Sequence, residues 1–135
     1  MTAFKRFEDI EVWQKARDLS MKIYPITQVD ECSKDFGFIN QIKNSSGSIM
    51  DNIAEGFERG GNKEFILFLS YAKGSAGEVK SQLYRALDQG YINKEHFKEL
   101  YQLSDEICKM ISGLMSYLSK STYKGPKYKH VKITK

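Results

Sequence analysis

The sequence predicts an all-α fold, an antiparallel up-down-up-down four-helix bundle. Apolar residues recur at three- and four-residue steps in four separate segments, which is the spacing of one face of a helix. Residues 26–125 contain no proline, so long helices can run there without interruption. Short connections between the segments favour consecutive helices that lie side by side and antiparallel.

The first two helices are bounded by local signals. The first is expected over 8–24, because Pro25 lacks a backbone donor and disfavours helical angles at the residue before it. The second is expected from about residue 34 to residue 57, with Ser33 as its N-cap. The predicted core faces are Ile10, Trp13, Ala16, Leu19 and Ile23 in the first helix, and Phe36, Ile39, Ile42, Ser46, Ile49, Ile53 and Phe57 in the second.

The third and fourth helices are each preceded by a glycine and a capping residue. A glycine at 60 or 61 can end the second helix, and Asn62 can cap the third. Gly90 is predicted to end the third helix with Ile92 as its apolar contact, and Asn93 to begin the fourth. The predicted core faces are Phe65, Leu69, Ala72, Ala76, Val79, Leu83 and either Ala86 or Leu87 in the third helix, and Phe97, Leu100, Ser104, Ile107, Ile111, Leu114 and Leu118 in the fourth.

Charge divides the 135-residue chain into a predicted bundle domain, 1–119, and a flexible basic tail, 120–135. The tail holds six lysines and no acidic residue. Removing those six from the 21 lysines and arginines leaves 15 against 17 acidic residues, a net charge of −2 for the domain. The overall net charge of +4 therefore belongs to the tail, which suits either phosphate contact or a solubilising end.

Few residues support catalysis, metal binding or membrane insertion. The only histidines are His96 and His130, too few for a metal centre or for a nucleophile with its base. The GGNK run at 60–63 follows a helix rather than a strand, so it is interpreted as a turn and not as a phosphate loop. The longest strongly apolar run, 65–72, is too short to span a bilayer. We therefore expect no enzyme activity, no cofactor or metal and no membrane partner.

The cysteines and the start of the chain indicate a compartment. Cys32 and Cys108 cannot form a disulfide framework, and we expect both to be reduced thiols. Acidic residues follow the basic start of the chain, where a signal peptide would be apolar. The expected location is the cytoplasm.

Polar and glycine residues interrupt two of the predicted helices. Asn52, Glu55 and Gly56 lie inside the second helix, and Glu55 could pair within one chain, pair between chains or face a partner. The third helix holds Gly74 and Gly77, each costing about 1 kcal/mol relative to alanine, which suggests close approach of another helix. A second apolar face indicates an interface and hence a homo-oligomer. Its members are Phe4, Phe7, Val12, Phe38, Ile66, Phe68, Tyr71, Tyr84, Tyr101 and Met115.

These motifs together resemble the four-helix bundle protein family, which comprises the bacterial 23S ribosomal RNA intervening-sequence proteins and their relatives. The resemblance covers about residues 4–119. It is carried by VWQKARDL at 12–19, FGF-x-x-QIK at 36–43, SI-x-x-NIAEGFER at 48–59, EF-x-x-FL at 64–69, AKGSAGE at 72–78, QLYRAL at 82–87 and GYI at 90–92.

The resemblance implies a homopentameric ring and, through distant relatives, binding of nucleic acid by a basic ring. The chain departs from the family pattern at Asn44, where the family has a second basic residue, and at Met50 and Asp51, where it has proline and serine. The structural signature that the resemblance identifies consists of Asn52, Glu55, Gly56, Gly74, Ser75 and Glu78.

We expect a non-enzymatic homo-oligomeric interaction module whose partner is nucleic acid, either ribosomal RNA or another RNA or DNA. One alternative is an assembly protein that docks another protein on its apolar outer face. A further alternative is an enzyme that uses Glu55. The residues expected to contact phosphates are Lys5, Arg6, Lys43, Arg59, Lys120, Lys124, Lys127, Lys129, Lys132 and Lys135.

Overall fold

A computed structural model of the protein describes residues 2–121 and 132–133. The four long helices are α1 (Glu11–Ile23), α2 (Phe36–Glu58), α3 (Asn62–Asp88) and α4 (Lys94–Lys120). Two short strands, β1 (Thr2–Ala3) and β2 (Lys132–Ile133), pair antiparallel with Thr2 opposite Ile133. Short 3₁₀ helices cover Phe7–Asp9, Tyr24–Gln28 and Asp30–Lys34. The prediction of an all-α protein with four helices is confirmed.

The helices form a bundle around one apolar core. Helix α2 packs against α3, α3 against α4, and α1 against both α2 and α4. In the part of the chain that the structure describes, no helix is long and apolar enough to cross a membrane. The largest fully buried side chains are Ile10, Leu19, Ile23, Ile42, Ile49, Ile53, Phe65, Leu69, Leu83, Leu100, Ile107 and Ile111.

The predicted helix ends at Pro25, Gly60 and Gly90 are confirmed. Helix α1 ends at Ile23, and the chain passes through Pro25 as a 3₁₀ helix. Gly60 and Gly90 have φ angles of 93° and 78°, the left-handed conformation that ends a helix at low cost only for glycine. Asn93 begins α4 as expected, since its Oδ1 accepts a hydrogen bond from the backbone N–H of His96 at 2.8 Å.

The start of α2 differs from the prediction. Asp35, not Ser33, is the N-cap, and its Oδ1 accepts a hydrogen bond from the backbone N–H of Phe38 at 3.2 Å. Phe36, predicted to be in the core, is 72% exposed, whereas Phe38 is buried. The reason is local packing at the bundle end, where the Phe38 ring lies 5.4 Å from the ring of Tyr91 in the connection after α3.

Two other helices also start at residues that differ from the prediction. Helix α1 begins at Glu11 rather than residue 8, and Val12 lies in the core instead of on the outer face. Asn62 is the first residue of α3 rather than its cap, and Gly61 precedes the helix. The Nδ2 of Asn62 donates to the carbonyl of Leu118 at 3.2 Å, so this side chain is drawn inward toward the end of α4.

The second apolar face is smaller than the sequence suggested. Of its predicted members, Tyr71 and Tyr84 are exposed, while Val12 and Phe38 belong to the core. The half-buried members are Phe4, Phe7, Ile66, Phe68, Tyr101 and Met115. A Cβ atom built on Gly74 or Gly77 would have no neighbour within 4 Å, so these glycines mark no close helix approach within the described chain.

Of the predicted tail, only residues 120–121 and 132–133 are described. Lys120 is the last residue of α4, and Lys132–Ile133 form β2 against β1 of the same chain. Residues 122–131 and 134–135 lie outside the described residues, and with them Lys124, Lys127, Lys129 and Lys135. The flexible tail stays a prediction.

Candidate functional site

Gly56 lies where α2 and α3 approach each other most tightly. It is buried, and a Cβ atom at this position would lie 2.7 Å from the Cβ of Phe68 and 3.1 Å from Cδ1 of Phe65. The 2.7 Å distance is closer than real Cβ contacts come, and the Cβ of Phe68 cannot rotate away. The glycine is therefore a packing requirement of the two-helix seam, which we call the α2–α3 seam.

Glu55 pairs within its own chain. Its Oε2 accepts a hydrogen bond from Nη2 of Arg59 at 2.7 Å, one helical turn further on. The two side chains are 53% and 47% exposed. The guanidinium carbon of Arg59 lies 4.9 Å from the ring centroid of Phe68, a cation–π contact. Glu55, Arg59 and Phe68 thus form one surface unit across the α2–α3 seam.

Asn52 makes a local contact rather than one between helices. The side chain is half-buried, and its Nδ2 donates to the carbonyl of Ser48 at 2.9 Å. That carbonyl belongs to the preceding turn of the same helix. A role in setting the register against another helix, as buried asparagines have in coiled coils, finds no support in this geometry.

The remaining signature residues belong to the outer side of α3. Gly74 and Glu78 are exposed and Ser75 is half-buried. Gly74 continues an exposed row that begins with Leu67 and Tyr71 at four- and three-residue steps, the spacing with which one helix faces another. This row, here called the α3 stripe, consists of Leu67, Tyr71 and Gly74.

Most of the described cations that the sequence singled out for phosphate contact lie at one end of the bundle. The Phe4 ring packs at 6.4 Å against Phe57, so Lys5 and Arg6 lie near the end of α2, where Arg59 follows. The bond between Asn62 and Leu118 places the end of α4, with Lys120, beside the start of α3. We call this region the basic end. It consists of Lys5, Arg6, Arg59 and Lys120.

Not every cation at the basic end is equally available to a ligand. Arg6 lies 3.5 Å from a carboxylate oxygen of Glu8 and 4.0 Å from one of Asp9, and Arg59 is paired with Glu55. Lys5 and Lys120 form no ion pair with any residue that the structure describes. Lys43 lies far from this end, in the first half of α2. Its ammonium is 5.1 Å from the ring centroid of Tyr24.

A polar groove of about 420 Å³ runs along the other half of the α2–α3 seam. Ser45 and Gln82 form its buried floor, where Nε2 of Gln82 donates to Oγ of Ser45 at 3.0 Å. Arg85 closes one end and donates from Nη1 to Oε1 of Gln41 at 2.6 Å. The lining residues are Gln41, Asn44, Ser45, Ser48, Glu78, Ser81, Gln82 and Arg85.

Sequence reasoning missed this groove, although a signal was present. Ser45 and Gln82 directly precede Ser46 and Leu83, which the sequence assigned to the core faces. Polar residues beside a core stripe usually remain at its solvated edge. Only the pairing of α2 with α3 makes these two polar edges meet and buries both side chains. Glu55 does not line the groove, so a catalytic role for it finds no support there.

A short hydrogen bond joins the start of α2 to the connection after α3. The Tyr91 hydroxyl donates to Oδ2 of Asp35 at 2.6 Å. This bond raises the pKa of Tyr91 to about 12. It is also the main cause that lowers the pKa of Asp35, with the backbone N–H of Phe38 adding to the effect. Arg85 lies near enough to contribute a smaller electrostatic share.

The described residues hold no group of three or more histidine, cysteine, aspartate or glutamate side chains arranged to bind a metal ion. Both cysteines are free thiols. Cys32 is buried, and this burial is the main cause that raises the pKa of its thiol. Cys108 is half-buried.

Comparison with known proteins identifies a family and a structural neighbour. A family model described as "23S rRNA-intervening sequence protein" matches residues 8–113. Among solved structures, a protein of unknown function from the S23 ribosomal protein family of Bacteroides thetaiotaomicron is similar, with a TM-score of 0.70 and 27% sequence identity. The alignment covers 77% of this chain and 97% of that one. No curated protein matches the chain significantly.

Proposed function

The chain belongs to the 23S rRNA-intervening sequence protein family, and from this premise we propose that it is a non-enzymatic homo-oligomeric module that binds nucleic acid. The four helices of each copy run antiparallel, up-down-up-down, and the copies assemble into a homopentameric ring. The basic ends and tails of the copies contact the phosphates of RNA or DNA, with ribosomal RNA the first candidate.

Contacts between the two ends of neighbouring helices support the antiparallel arrangement. Gln41, early in α2, bonds Arg85, late in α3. Gly56, near the end of α2, meets Phe68 near the start of α3. Contacts of this kind are expected for helices that run in opposite directions, and they support the proposed arrangement.

Exposed apolar side chains on α3 support self-association. Leu67 and Tyr71, one turn apart on the α3 stripe, are both about half exposed. The next member, Gly74, leaves open space where another backbone could approach. An exposed apolar row with an open glycine suits a helix from a second copy. Light scattering tests this, since the proposal expects the mass of a pentamer and a clean monomer would overturn it.

The observation that carries the nucleic-acid proposal is the gathering of Lys5, Arg6, Arg59 and Lys120 at one end of the bundle. Lys120 is also the point at which the lysine-rich tail leaves α4. The net charge of −2 over residues 1–119 makes the rest of the domain a poor phosphate surface, so position matters more than total charge. Repeating one basic end in several copies adds avidity that one end lacks.

The ion pairs indicate which cations should contribute most to phosphate binding. A phosphate must compete with Glu55 for Arg59, and with Glu8 and Asp9 for Arg6. Lys5 and Lys120 face no such competition from described residues. We therefore expect these two lysines and the tail to contribute most of the binding, and the arginines to contribute less.

Salt dependence of RNA binding tests the proposal. Affinity for a ribosomal RNA fragment should fall steeply between about 50 and about 300 mM salt, because phosphate contacts release counterions. The double variant Lys5→Gln/Lys120→Gln should bind more weakly and show a shallower salt slope by about 2. The matched control is Lys94→Gln/Lys98→Gln on exposed residues at the start of α4. Absence of binding at low salt by an intact oligomer would rule the proposal out.

A protein partner is the second candidate, and the same α3 stripe favours it. If another protein covers Leu67 and Tyr71, the purified chain alone should be monomeric. A pull-down should then recover one protein at fixed stoichiometry, unchanged by nuclease. The light-scattering result decides between this arrangement and self-association.

A further inference from the structure

The polar groove on the α2–α3 seam has a floor with unused hydrogen-bonding capacity. Gln82 is 7% exposed, and its Nε2 is bonded to Ser45. Its Oε1 is buried with no hydrogen-bond partner among the described residues. Exchanging Oε1 and Nε2 in the amide would leave the nitrogen unpaired instead of the oxygen, because Ser45 can pair with just one of them.

A buried amide atom without a hydrogen-bond partner destabilises the fold, because it loses its bonds to water and gains none in the protein. Apolar residues of similar size would line the seam at no such cost. Gln82 instead points its amide at a groove whose walls carry three more amide or hydroxyl side chains from α2, namely Gln41, Asn44 and Ser48. An arrangement of this kind suits a ligand that supplies both donors and acceptors.

The two ends of the groove carry opposite charges. Arg85 at one end is held in place by Gln41 at 2.6 Å and lies over the Phe38 ring at 5.6 Å. Glu78, two turns earlier on α3, is exposed and forms no ion pair with any described residue. Between them the wall is Ser81. The groove therefore offers a neutral polar floor, one carboxylate and one guanidinium.

We propose that this groove binds an unstacked guanine base of single-stranded RNA. The proposal rests on the proposed function, since it assigns the groove a role in the same nucleic-acid complex. Guanine presents two acceptors, O6 and N7, which an arginine fork contacts together. Its neighbouring Watson–Crick edge presents the N1–H and N2–H donors, which a carboxylate accepts together.

The dimensions agree with such a ligand. A rise of about 1.5 Å per residue separates the Cα atoms of Glu78 and Arg85 by about 10 Å. A flat purine with hydrogen bonds of about 3 Å at both edges fills a span of this order. In the same orientation, adenine presents N6–H2 to Arg85 in place of O6, and the N1 acceptor to Glu78 in place of a donor, so neither charged side chain finds its partner. The pyrimidines are too short to reach both ends.

The groove would add a sequence preference to the phosphate contacts of the basic end. Contacts to phosphates position a nucleic acid but do not read its sequence, whereas contacts to base edges do. Ser48 of the groove and Arg59 of the basic end are separated by about 16 Å along α2. A short single strand spans that distance, so one RNA can use both surfaces.

Base substitution in a short RNA tests the proposal. The probes are an oligouridine with one central guanosine, the same strand with a central adenosine, and guanosine 5′-monophosphate alone. We expect the guanosine strand to bind at least about fivefold more tightly than the adenosine strand. Glu78→Gln should remove most of this preference, measured as the ratio of the two affinities. Glu95→Gln, an exposed acid in the first turn of α4, is the matched control and should keep the preference.

The outcomes separate this proposal from the proposed function. Equal binding of both strands with a steep salt dependence overturns the guanine site and leaves the nucleic-acid proposal intact. Binding of neither strand at low salt overturns the proposed function. In that case guanosine monophosphate still tests the groove by itself. If the monophosphate also fails to bind, the guanine site is overturned. A change in oligomer mass on Glu78→Gln would make the groove an interface between copies, which also overturns the site.

Discussion

Gly56 of α2 and Phe68 of α3 pack so closely that a Cβ atom on Gly56 would lie 2.7 Å from the Cβ of Phe68. The ring of the same phenylalanine supports the guanidinium of Arg59 at 4.9 Å. One contact thus determines both how near the two helices lie and where a cation of the basic end is held. The glycine inside the helix and the arginine after it belong to the same local arrangement.

Replacing Gly56 with alanine should destabilise the fold. The added methyl group must push α2 and α3 apart, and overpacking of this kind costs about 1 to 3 kcal/mol. The free energy of unfolding in urea measures the loss. Gly113→Ala on α4 is the matched control, because a Cβ there meets nothing within 4 Å. The control should gain up to about 1 kcal/mol from helix propensity. Equal stability of Gly56→Ala and the wild type would contradict the packing account.

Ser45 and Gln82 should show strong coupling in a double-mutant cycle. Ser45→Ala leaves the buried Nε2 of Gln82 without its acceptor and should cost about 1 to 3 kcal/mol. Replacing both residues, as Ser45→Ala/Gln82→Met, removes all the buried polar atoms of the pair and should be nearly neutral or stabilising. Urea unfolding of the four proteins gives the coupling energy. Additive single effects would show that the Ser45–Gln82 hydrogen bond contributes little.

The Asp35–Tyr91 bond should make stability fall at both pH extremes. Because the pKa of Asp35 is lowered in the fold, its contribution is complete above its unfolded pKa of about 3.9 and is lost as pH falls through the lower folded value. The pKa of Tyr91 is raised to about 12. Its contribution is complete below the unfolded pKa of about 10 and is lost as pH rises toward the folded value.

Unfolding midpoints at acid, neutral and alkaline pH test this pair. Tyr91→Phe should lower stability at neutral pH and reduce the further loss between about pH 10 and about pH 12. Absorbance titration of the wild type should find one tyrosine that ionises well above the unfolded pKa of about 10. An alkaline loss of stability that is identical in Tyr91→Phe and the wild type would show that the bond does not set this dependence.

A charge on the α3 stripe should dissociate the oligomer. Tyr71 is 50% exposed, and Tyr71→Glu places a carboxylate on the proposed contact surface, where burial without a partner is costly. Light scattering should show a lower mass for this variant. Met21→Glu on α1 introduces the same charge at a site that is 64% exposed, away from the stripe, and should keep the wild-type mass. Retention of the full mass by Tyr71→Glu would place the interface elsewhere.

Local signals were sufficient for some parts of the fold. Pro25, Gly60, Gly90 and Asn93 act through backbone geometry and nearby hydrogen bonds, so their effects could be read from neighbouring residues. The start of α2 could not be predicted in this way. Whether Phe36 or Phe38 is buried depends on Tyr91, a residue more than fifty positions later that only the folded bundle brings beside it.

The sequence by itself determined the helical class, the four periodic segments and the separation of a weakly acidic domain from a lysine-rich end, because periodicity and charge are local properties. Only the tertiary structure decided that Gly56 packs against Phe68 and that Ser45 meets Gln82. Each of these depends on which helices become neighbours and at what register. That choice is made by packing of the whole core, and no short stretch of the chain contains it.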